Sequence, residues 1–283
     1  MMPGHMCALG QGRPVFAVAV GLLAQLIFAT AGLAQSAPAG HSERMHGMDM
    51  DRVIRTYVLA DQLEIRPNVR ERPVTVEFLS WIGGDYRRLF FRAQSEIPTE
   101  GRGDGELQAD VLYGRLLSPF WSAVGGVRVD TRPRASAPAF PRGDVARREL
   151  AGRDRVTRGM LAVGLFGIAP YWFEFEPTLF VSEKGDVSAE LETSFDVTFT
   201  QRLILQPRVE LNAAVQAVPA FGIESGLNDV ELGARLRYEI RRKFAPYVGV
   251  SWHRSTGATA ARVKAAGEPI STGGITAGVR IWR

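Results

Sequence analysis

Cysteine is almost absent from this chain of 283 residues, in which Cys7 stands alone. Because Cys7 precedes a long apolar run near the amino terminus, the remainder of the chain can form no disulfide and offers no thiolate to a metal. Histidine is scarce as well, and His253 is the only one after residue 46. The fold must therefore be closed by something other than covalent cross-links.

The chain has one long apolar run, "PVFAVAVGLLAQLIFATAGLA", which follows Arg13 and closes with small residues at Gly32 and Ala34. A basic residue, an apolar stretch and small residues in this order predict a secretory signal peptide over residues 1–34. The alternative is a single transmembrane anchor, although the run is near the lower limit of ~17 residues for spanning a bilayer. Export is the favoured interpretation.

The net charge of +4 is not concentrated anywhere. Arginine is spread along alternating segments and forms no basic patch of the kind that binds nucleic acid. We therefore expect no nucleic-acid partner.

Residues 35–52, which begin "QSAPAGHSERMHGMDM", have no apolar period and predict a flexible tail. Imidazole and thioether side chains lie close together there, and this combination suits copper, since soft sulfur favours Cu(I) and imidazole serves either oxidation state. The alternative is a linker in which methionine is incidental and His46 is solvated. The candidate metal ligands are His41, Met45, His46, Met48 and Met50.

From residue 53 onward, apolar and polar residues alternate with a period of two. In "VSAELETSFDVTF", Leu191 and Val197 share a face, while Glu190 and Glu192 share the other. The segments "RLILQPRVELNA", "NDVELGARLRYEI" and "LRYEIRRKFAPYVGVSW" continue the pattern. Each segment predicts a strand with one apolar face and one charged face.

Looser segments of similar length precede these, and together they predict about twelve antiparallel strands, close to the ~9–11 residues that tilted membrane strands need. Short connections such as "LSPFW" and "RRKF" alternate with long ones rich in Gly, Pro and charge. The alternation is incomplete at "GGDY", which predicts that one early strand boundary is displaced. Residues 53–283 are thus interpreted as an all-β, antiparallel outer-membrane β-barrel with closed edges.

A soluble β-sandwich would also give alternation. Two features favour the barrel: the apolar face carries many small residues, and aromatic residues gather at strand ends, as they do at bilayer interfaces. In this interpretation the charged faces line a wet lumen, where carboxylates pair with arginines such as Arg128, Arg208, Arg235 and Arg237. The aromatic residues assigned to the interface are Trp81, Phe120, Trp121, Tyr171, Trp172, Tyr247 and Trp252.

Enzymatic function finds little support. His253 stands between Ser251 and Ser255, but neighbours along a strand cannot form a nucleophile–base pair, because their side chains point to opposite faces or lie too far apart. His253 is better interpreted as a surface-loop residue. We expect no catalytic activity.

The segments "ADVLYGRLLSPFW", "GIAPYWFEFEPTLFV", "TQRLILQPRVELN" and "GLNDVELGARLRYEIRRKFAPYVGVSW" closely resemble the copper resistance protein B family of bacterial outer membranes. The likeness covers most of the chain from about Val53. It implies an outer-membrane barrel that contributes to copper tolerance by sequestering copper in the periplasm or exporting it. Family members typically carry a Met/His-rich amino-terminal region, which here is reduced to the cluster from His41 to Met50.

Three functions therefore compete: a copper-binding resistance barrel, a passive porin for small solutes, and a purely structural membrane protein. The expected partners are outer-membrane lipids, copper ions and a periplasmic copper-binding or copper-oxidising protein.

Overall fold

A computed structural model describes residues 53–69, 72–99, 105–133 and 155–283. The expected signal peptide and the tail of residues 35–52, with all five candidate copper ligands, lie outside these described residues.

Twelve β-strands form within the described ranges, and each pairs antiparallel with the next along the chain. The last strand pairs with the first, for example Val279 with Leu63, which closes the sheet into a barrel. The predicted all-β barrel of about twelve strands is confirmed. The strands are β1 (Arg55–Ile65), β2 (Val74–Gly83), β3 (Arg87–Ile97), β4 (Glu106–Ser118), β5 (Trp121–Pro133), β6 (Arg155–Ala169), β7 (Phe173–Ser182), β8 (Val187–Ser194, continued at Val197–Thr198), β9 (Leu203–Ala214), β10 (Gly226–Tyr238), β11 (Phe244–Ser255) and β12 (Ser271–Trp282).

The barrel is inside-out relative to a soluble protein. Large apolar side chains such as Val163 and Val248 are exposed on its outer surface, with 64% and 58% of their area accessible. Charged side chains such as Glu64, Arg128 and Asp130 are buried in its interior. Because successive side chains of a strand point to opposite faces, strict alternation in sequence produces this arrangement directly.

The connections alternate without exception between two ends. At one end, here called the tight-turn end, the five connections span residues 84–86, 119–120, 170–172, 199–202 and 239–243. At the opposite, long-loop end lie the connections that follow β1, β3, β5, β7, β9 and β11, among them residues 183–186, 215–225 and 256–270. The "GGDY" turn joins β2 to β3 at the tight-turn end, so the expectation of a displaced early boundary is wrong.

Aromatic residues mark the tight-turn end. Tyr171 and Trp172 are highly exposed in the turn after β6, and both adopt left-handed backbone conformations with φ of 68° and 67°. Tyr247 departs from the expected belt, because its side chain is buried inside the barrel and its hydroxyl donates to Glu64 at 3.1 Å. Its assignment to the interface was wrong, although its alternation with exposed Val248 is consistent with an inward position.

At the long-loop end, helix α1 (Gly257–Ala265) packs near β10 and β11. Arg262 on this helix donates to the Pro219 carbonyl at 2.8 Å and to Glu224 at 3.3 Å. These bonds hold the loop of residues 215–225, whose Phe221 ring is buried with the Arg158 guanidinium 4.3 Å from its centroid. The loop thus partly covers this mouth of the barrel.

No helix in the described ranges is long and apolar enough to cross a membrane.

Candidate functional site: the barrel lumen

A layer of ion pairs crosses the middle of the lumen. Arg92 on β3 donates to Glu176 on β7 at 3.0 Å, and Arg208 on β9 donates to Glu77 on β2 at 2.7 Å. Arg208 also lies 3.1 Å from Glu192 on β8. The first two contacts join strands from different sides of the barrel, so they tie its walls together through the interior.

Arg128 anchors the same layer from β5. Its guanidinium donates two hydrogen bonds to Asp110, at 2.6 and 2.9 Å, and a third to Glu190 at 2.6 Å. The guanidinium also stacks over the Phe180 ring, 3.9 Å from its centroid. Such a planar, multiply bonded arginine is held rigidly, because its fork geometry matches the carboxylates. Phe180 belongs to a buried apolar cluster on the β3–β7 wall, whose members are Phe90, Leu112, Val124, Met160, Ala162 and Phe180.

A second set of contacts ties β1 to β10 and β11. Arg235 donates to Glu64 at 3.0 Å, and Tyr247 donates to the same carboxylate. Arg66, just after β1, donates to Glu231 on β10 at 3.2 Å. Because β1 and β12 close the barrel, these contacts brace the seam from within.

Two cavities of the lumen lie near the ion-pair layer, and Gln94, Gln108 and Arg128 line both. The tight-turn chamber has a volume of about 360 Å³ and is lined by Asp61, Glu77, Glu174, Glu176 and Arg280, among others. The long-loop chamber measures about 120 Å³ and is lined by Asp130, Arg158, Glu210, Asn212 and Asp229, among others. The lumen in this structure is therefore a polar interior that the ion pairs narrow at its middle.

The expected pairing of lumenal carboxylates with arginines is largely confirmed, since Arg128 binds Glu190, Arg208 binds Glu192 and Arg237 binds Asp196. The sequence interpretation did not identify the partners contributed by the early strands, namely Glu64, Glu77 and Arg92. Apolar and polar residues alternate in "VTVEFLSWI" and "YRRLFFRAQ", which contain Glu77 and Arg92. No local sequence pattern, however, indicates which residues pair across the lumen.

His253 lies on β11, where its register partners are Glu231 on β10 and Thr272 on β12. The interpretation of this histidine as a surface-loop residue is therefore wrong, and its half-buried side chain neighbours a carboxylate. Even so, no three His, Cys, Asp or Glu side chains in the described part of the chain are placed to hold a metal ion together.

A closed antiparallel barrel with an apolar exterior and a charged interior has the architecture of a transmembrane β-barrel and fits a bacterial outer-membrane protein. The family "Copper resistance protein B precursor (CopB)" matches residues 54–283. The chain belongs to the copper resistance protein B family.

Two relatives agree with this assignment. The chain is 40% identical over 235 residues to copper resistance protein B of Escherichia coli, covering 82% of this chain and 71% of that protein. It is 35% identical over 232 residues to a copper resistance protein B homolog of Pseudomonas syringae pv. tomato, with the same coverages of 82% and 71%. Among solved structures, the β domain of the Bordetella autotransporter BrkA covers 81% of this chain and 98% of its own, at 11% identity and a TM-score of 0.31, a likeness too weak to support an argument.

Proposed function

We propose that this chain is an outer-membrane copper resistance protein that binds copper through its amino-terminal Met/His cluster and holds that cluster at the membrane with its barrel. The observation that carries the proposal is the family match over residues 54–283, which includes every strand of the barrel. The role is one of binding and handling copper, without catalysis.

The orientation follows from the alternation of connections. Bacterial outer-membrane barrels place short turns in the periplasm and long loops outside. β1 begins at Arg55, opposite Gly83 at the tight-turn end, so in the proposed orientation the barrel's first strand starts from the periplasmic side. The proposal assigns periplasmic copper to the ligands His41, Met45, His46, Met48 and Met50, together with any periplasmic copper-binding or copper-oxidising partner.

The narrowed lumen favours sequestration or controlled export of copper over free diffusion. The passive porin is the alternative, and the polar tight-turn chamber of about 360 Å³ is the feature that favours it. The copper-binding function requires the Met/His cluster, whereas the porin function does not.

The decisive experiment measures copper stoichiometry and affinity of the full chain without its signal peptide. A tail variant, with His41, Met45, His46, Met48 and Met50 replaced by Ser, is compared with the parent. A matched control replaces the non-ligand tail residues Ser36, Ser42 and Arg44 with Ala, Ala and Gln.

We expect the tail variant to lose the tightest copper ions while its barrel folds normally, and the control to bind as the parent does. Equal copper binding by the parent and the tail variant would contradict the proposal.

A further inference from the structure

The outer surface of strands β3 and β4 carries two arginines side by side. Arg87 is the register partner of Arg115 on the neighbouring strand, and both side chains are exposed. The adjacent residues point inward, since Arg88 lines the tight-turn chamber and a Cβ atom on Gly114 would lie 2.6 Å from the Phe90 ring. Because side chains of a strand alternate between its faces, both guanidinium groups lie on the outside of the barrel.

No protein group neutralises this pair within the described ranges, where neither guanidinium forms an ion pair, a side-chain hydrogen bond or a ring contact. Asp85, the acidic residue closest to Arg87 in sequence, is bound by Arg55 at 2.8 Å. Asp110, the acidic residue of β4 closest to Arg115, is buried in the interior, on the opposite face of the sheet. Like charges directly opposite each other on neighbouring strands are destabilising, so the pair points to an anion from outside the chain.

The surface that adjoins the pair is apolar. Tyr113 and Val111, on the same face of β4, expose 50% and 41% of their area. Toward the middle of the barrel, the two register pairs that follow the arginines on this face are Leu89 with Tyr113 and Phe91 with Val111. The arginines thus border a surface of the kind that contacts hydrocarbon.

The pair lies at the level of the aromatic residues of the tight-turn end. Tyr86, adjacent to Arg87, is 54% exposed, and Phe120, in the turn after β4, is 58% exposed. Aromatic rings are enriched where lipid headgroups meet hydrocarbon. At this level an arginine can lay its methylene stem on apolar surface and hold its charged group among the headgroups.

We propose that Arg87 and Arg115 together bind the phosphate of an anionic phospholipid, whose acyl chains lie on the apolar surface of β3 and β4. The planar guanidinium groups offer paired N–H donors that match phosphate oxygens. A zwitterionic lipid would bring its own cation to two arginines, so an anionic headgroup is favoured. Inorganic phosphate shares the headgroup's chemistry, but it cannot use the adjoining apolar surface.

The site does not depend on copper. Only its assignment to the periplasmic leaflet rests on the orientation that is part of the proposed function. Both side chains lie outside the lumen, so replacing them leaves the ion pairs of the interior in place.

The test measures lipid binding by the full chain without its signal peptide, refolded in detergent, by native mass spectrometry. The probes are phosphatidylglycerol, phosphatidylcholine and inorganic phosphate. The site variant combines Arg87→Gln with Arg115→Gln. The matched control combines Arg241→Gln with Arg242→Gln, two exposed arginines in the turn between β10 and β11, so that the net charge changes equally.

We expect the parent to bind phosphatidylglycerol more tightly than phosphatidylcholine. The site variant should lose affinity for phosphatidylglycerol by roughly tenfold or more, since each basic residue at an anionic lipid surface contributes about fivefold. The control should bind this lipid nearly as the parent does.

An equal loss in the control would overturn the inference, because net charge alone would then attract the lipid. So would equal binding of the two lipids by the parent. Inorganic phosphate that binds as tightly as phosphatidylglycerol would overturn it as well, because the acyl chains would then contribute nothing.

If the site variant does not fold, Arg115→Glu decides the matter, because it places a carboxylate opposite Arg87 and balances the charge without a lipid. Adding phosphatidylglycerol to phosphatidylcholine vesicles should raise the urea midpoint of unfolding of the parent and leave that of Arg115→Glu unchanged. An equal shift in both proteins refutes the site. Failure of the proposed function is seen separately, as unchanged copper binding between the parent and the tail variant.

Discussion

Nη1 of Arg208 on β9 lies 2.7 Å from Oε2 of Glu77 on β2, so a single ion pair spans the lumen between residues 131 positions apart in sequence. Both side chains are largely shielded from solvent, at 11% and 19% exposure. The pair belongs to the layer that narrows the interior at its middle. Because the pair is shielded from solvent, the charges in the lumen are compensated by other charged side chains of the barrel.

The first prediction concerns Arg208→Met, which leaves Glu77 and Glu192 without their closest cation. Removing one partner of a buried ion pair typically costs about 3–5 kcal/mol, so we expect the free energy of unfolding to fall by that amount. Urea unfolding of the refolded protein, followed by tryptophan fluorescence, measures it.

The control is Arg55→Met. In the parent, Arg55 pairs with Asp85, and their side chains are 60% and 35% exposed, respectively. Exposed pairs contribute at most about 1 kcal/mol. Equal destabilisation by the two substitutions would mean that the lumen is filled with water that screens Arg208.

The second prediction concerns the outer surface, where Val163 stands near the middle of β6 with 64% of its area exposed. A lipid-facing arginine near the bilayer midplane costs roughly 2–4 kcal/mol. Val163→Arg should therefore reduce folding yield in lipid vesicles, while Val163→Leu should leave it unchanged. Similar yields for both variants would show that this face does not contact hydrocarbon.

The later strands could be predicted from sequence almost completely, because strict alternation assigns each side chain to a face. In β8, for example, the expected lumenal side chains Glu190 and Glu192 lie within 4 Å of arginines, Glu192 beside Arg208. The register between strands then follows from the turns.

The contacts across the lumen could not be predicted in the same way. Glu64 and Arg235 meet only because the barrel closes with a particular strand number, and nothing local encodes that distance. In β1 a register shift between Ala60 and Gln62 also interrupts the alternation. Such an irregularity obscures the sequence pattern of β1.

The third prediction distinguishes the proposed copper-binding function from that of a passive porin. Arg92 reaches from β3 to Glu176 on β7 and lies within 3.9 Å of Glu190 and 3.8 Å of Asp110. If this side chain obstructs the lumen, Arg92→Ser should raise single-channel conductance in planar bilayers severalfold over a low parental value. Arg87→Ser, at an exposed position of the same strand, is the control.

High conductance of the parent protein, with no change in the Arg92→Ser variant, would favour the porin function.

The last prediction concerns the pH dependence of the copper binding that is proposed for the tail. Copper binds the unprotonated imidazole, whose ordinary pKa is about 6.5, so protons compete with the metal as the pH falls. Affinity should be nearly constant above about pH 7 and should decrease below about pH 6, approaching tenfold per pH unit for each imidazole ligand. Copper titrations at several pH values between 5 and 7.5 measure this dependence.

Two variants assign the effect to particular ligands. His41→Ser combined with His46→Ser should bind copper more weakly at pH 7.5 but almost independently of pH, because thioethers do not titrate. Replacing Met45, Met48 and Met50 with Leu should keep the pH dependence and weaken Cu(I) more than Cu(II), since soft sulfur prefers the reduced ion. The ordinary pKa of a carboxyl group is near 4, below this window, so a slope between pH 5 and 7 reports imidazole. A parent whose affinity is as flat as that of the histidine-free variant would exclude His41 and His46 as ligands and leave a methionine-only site.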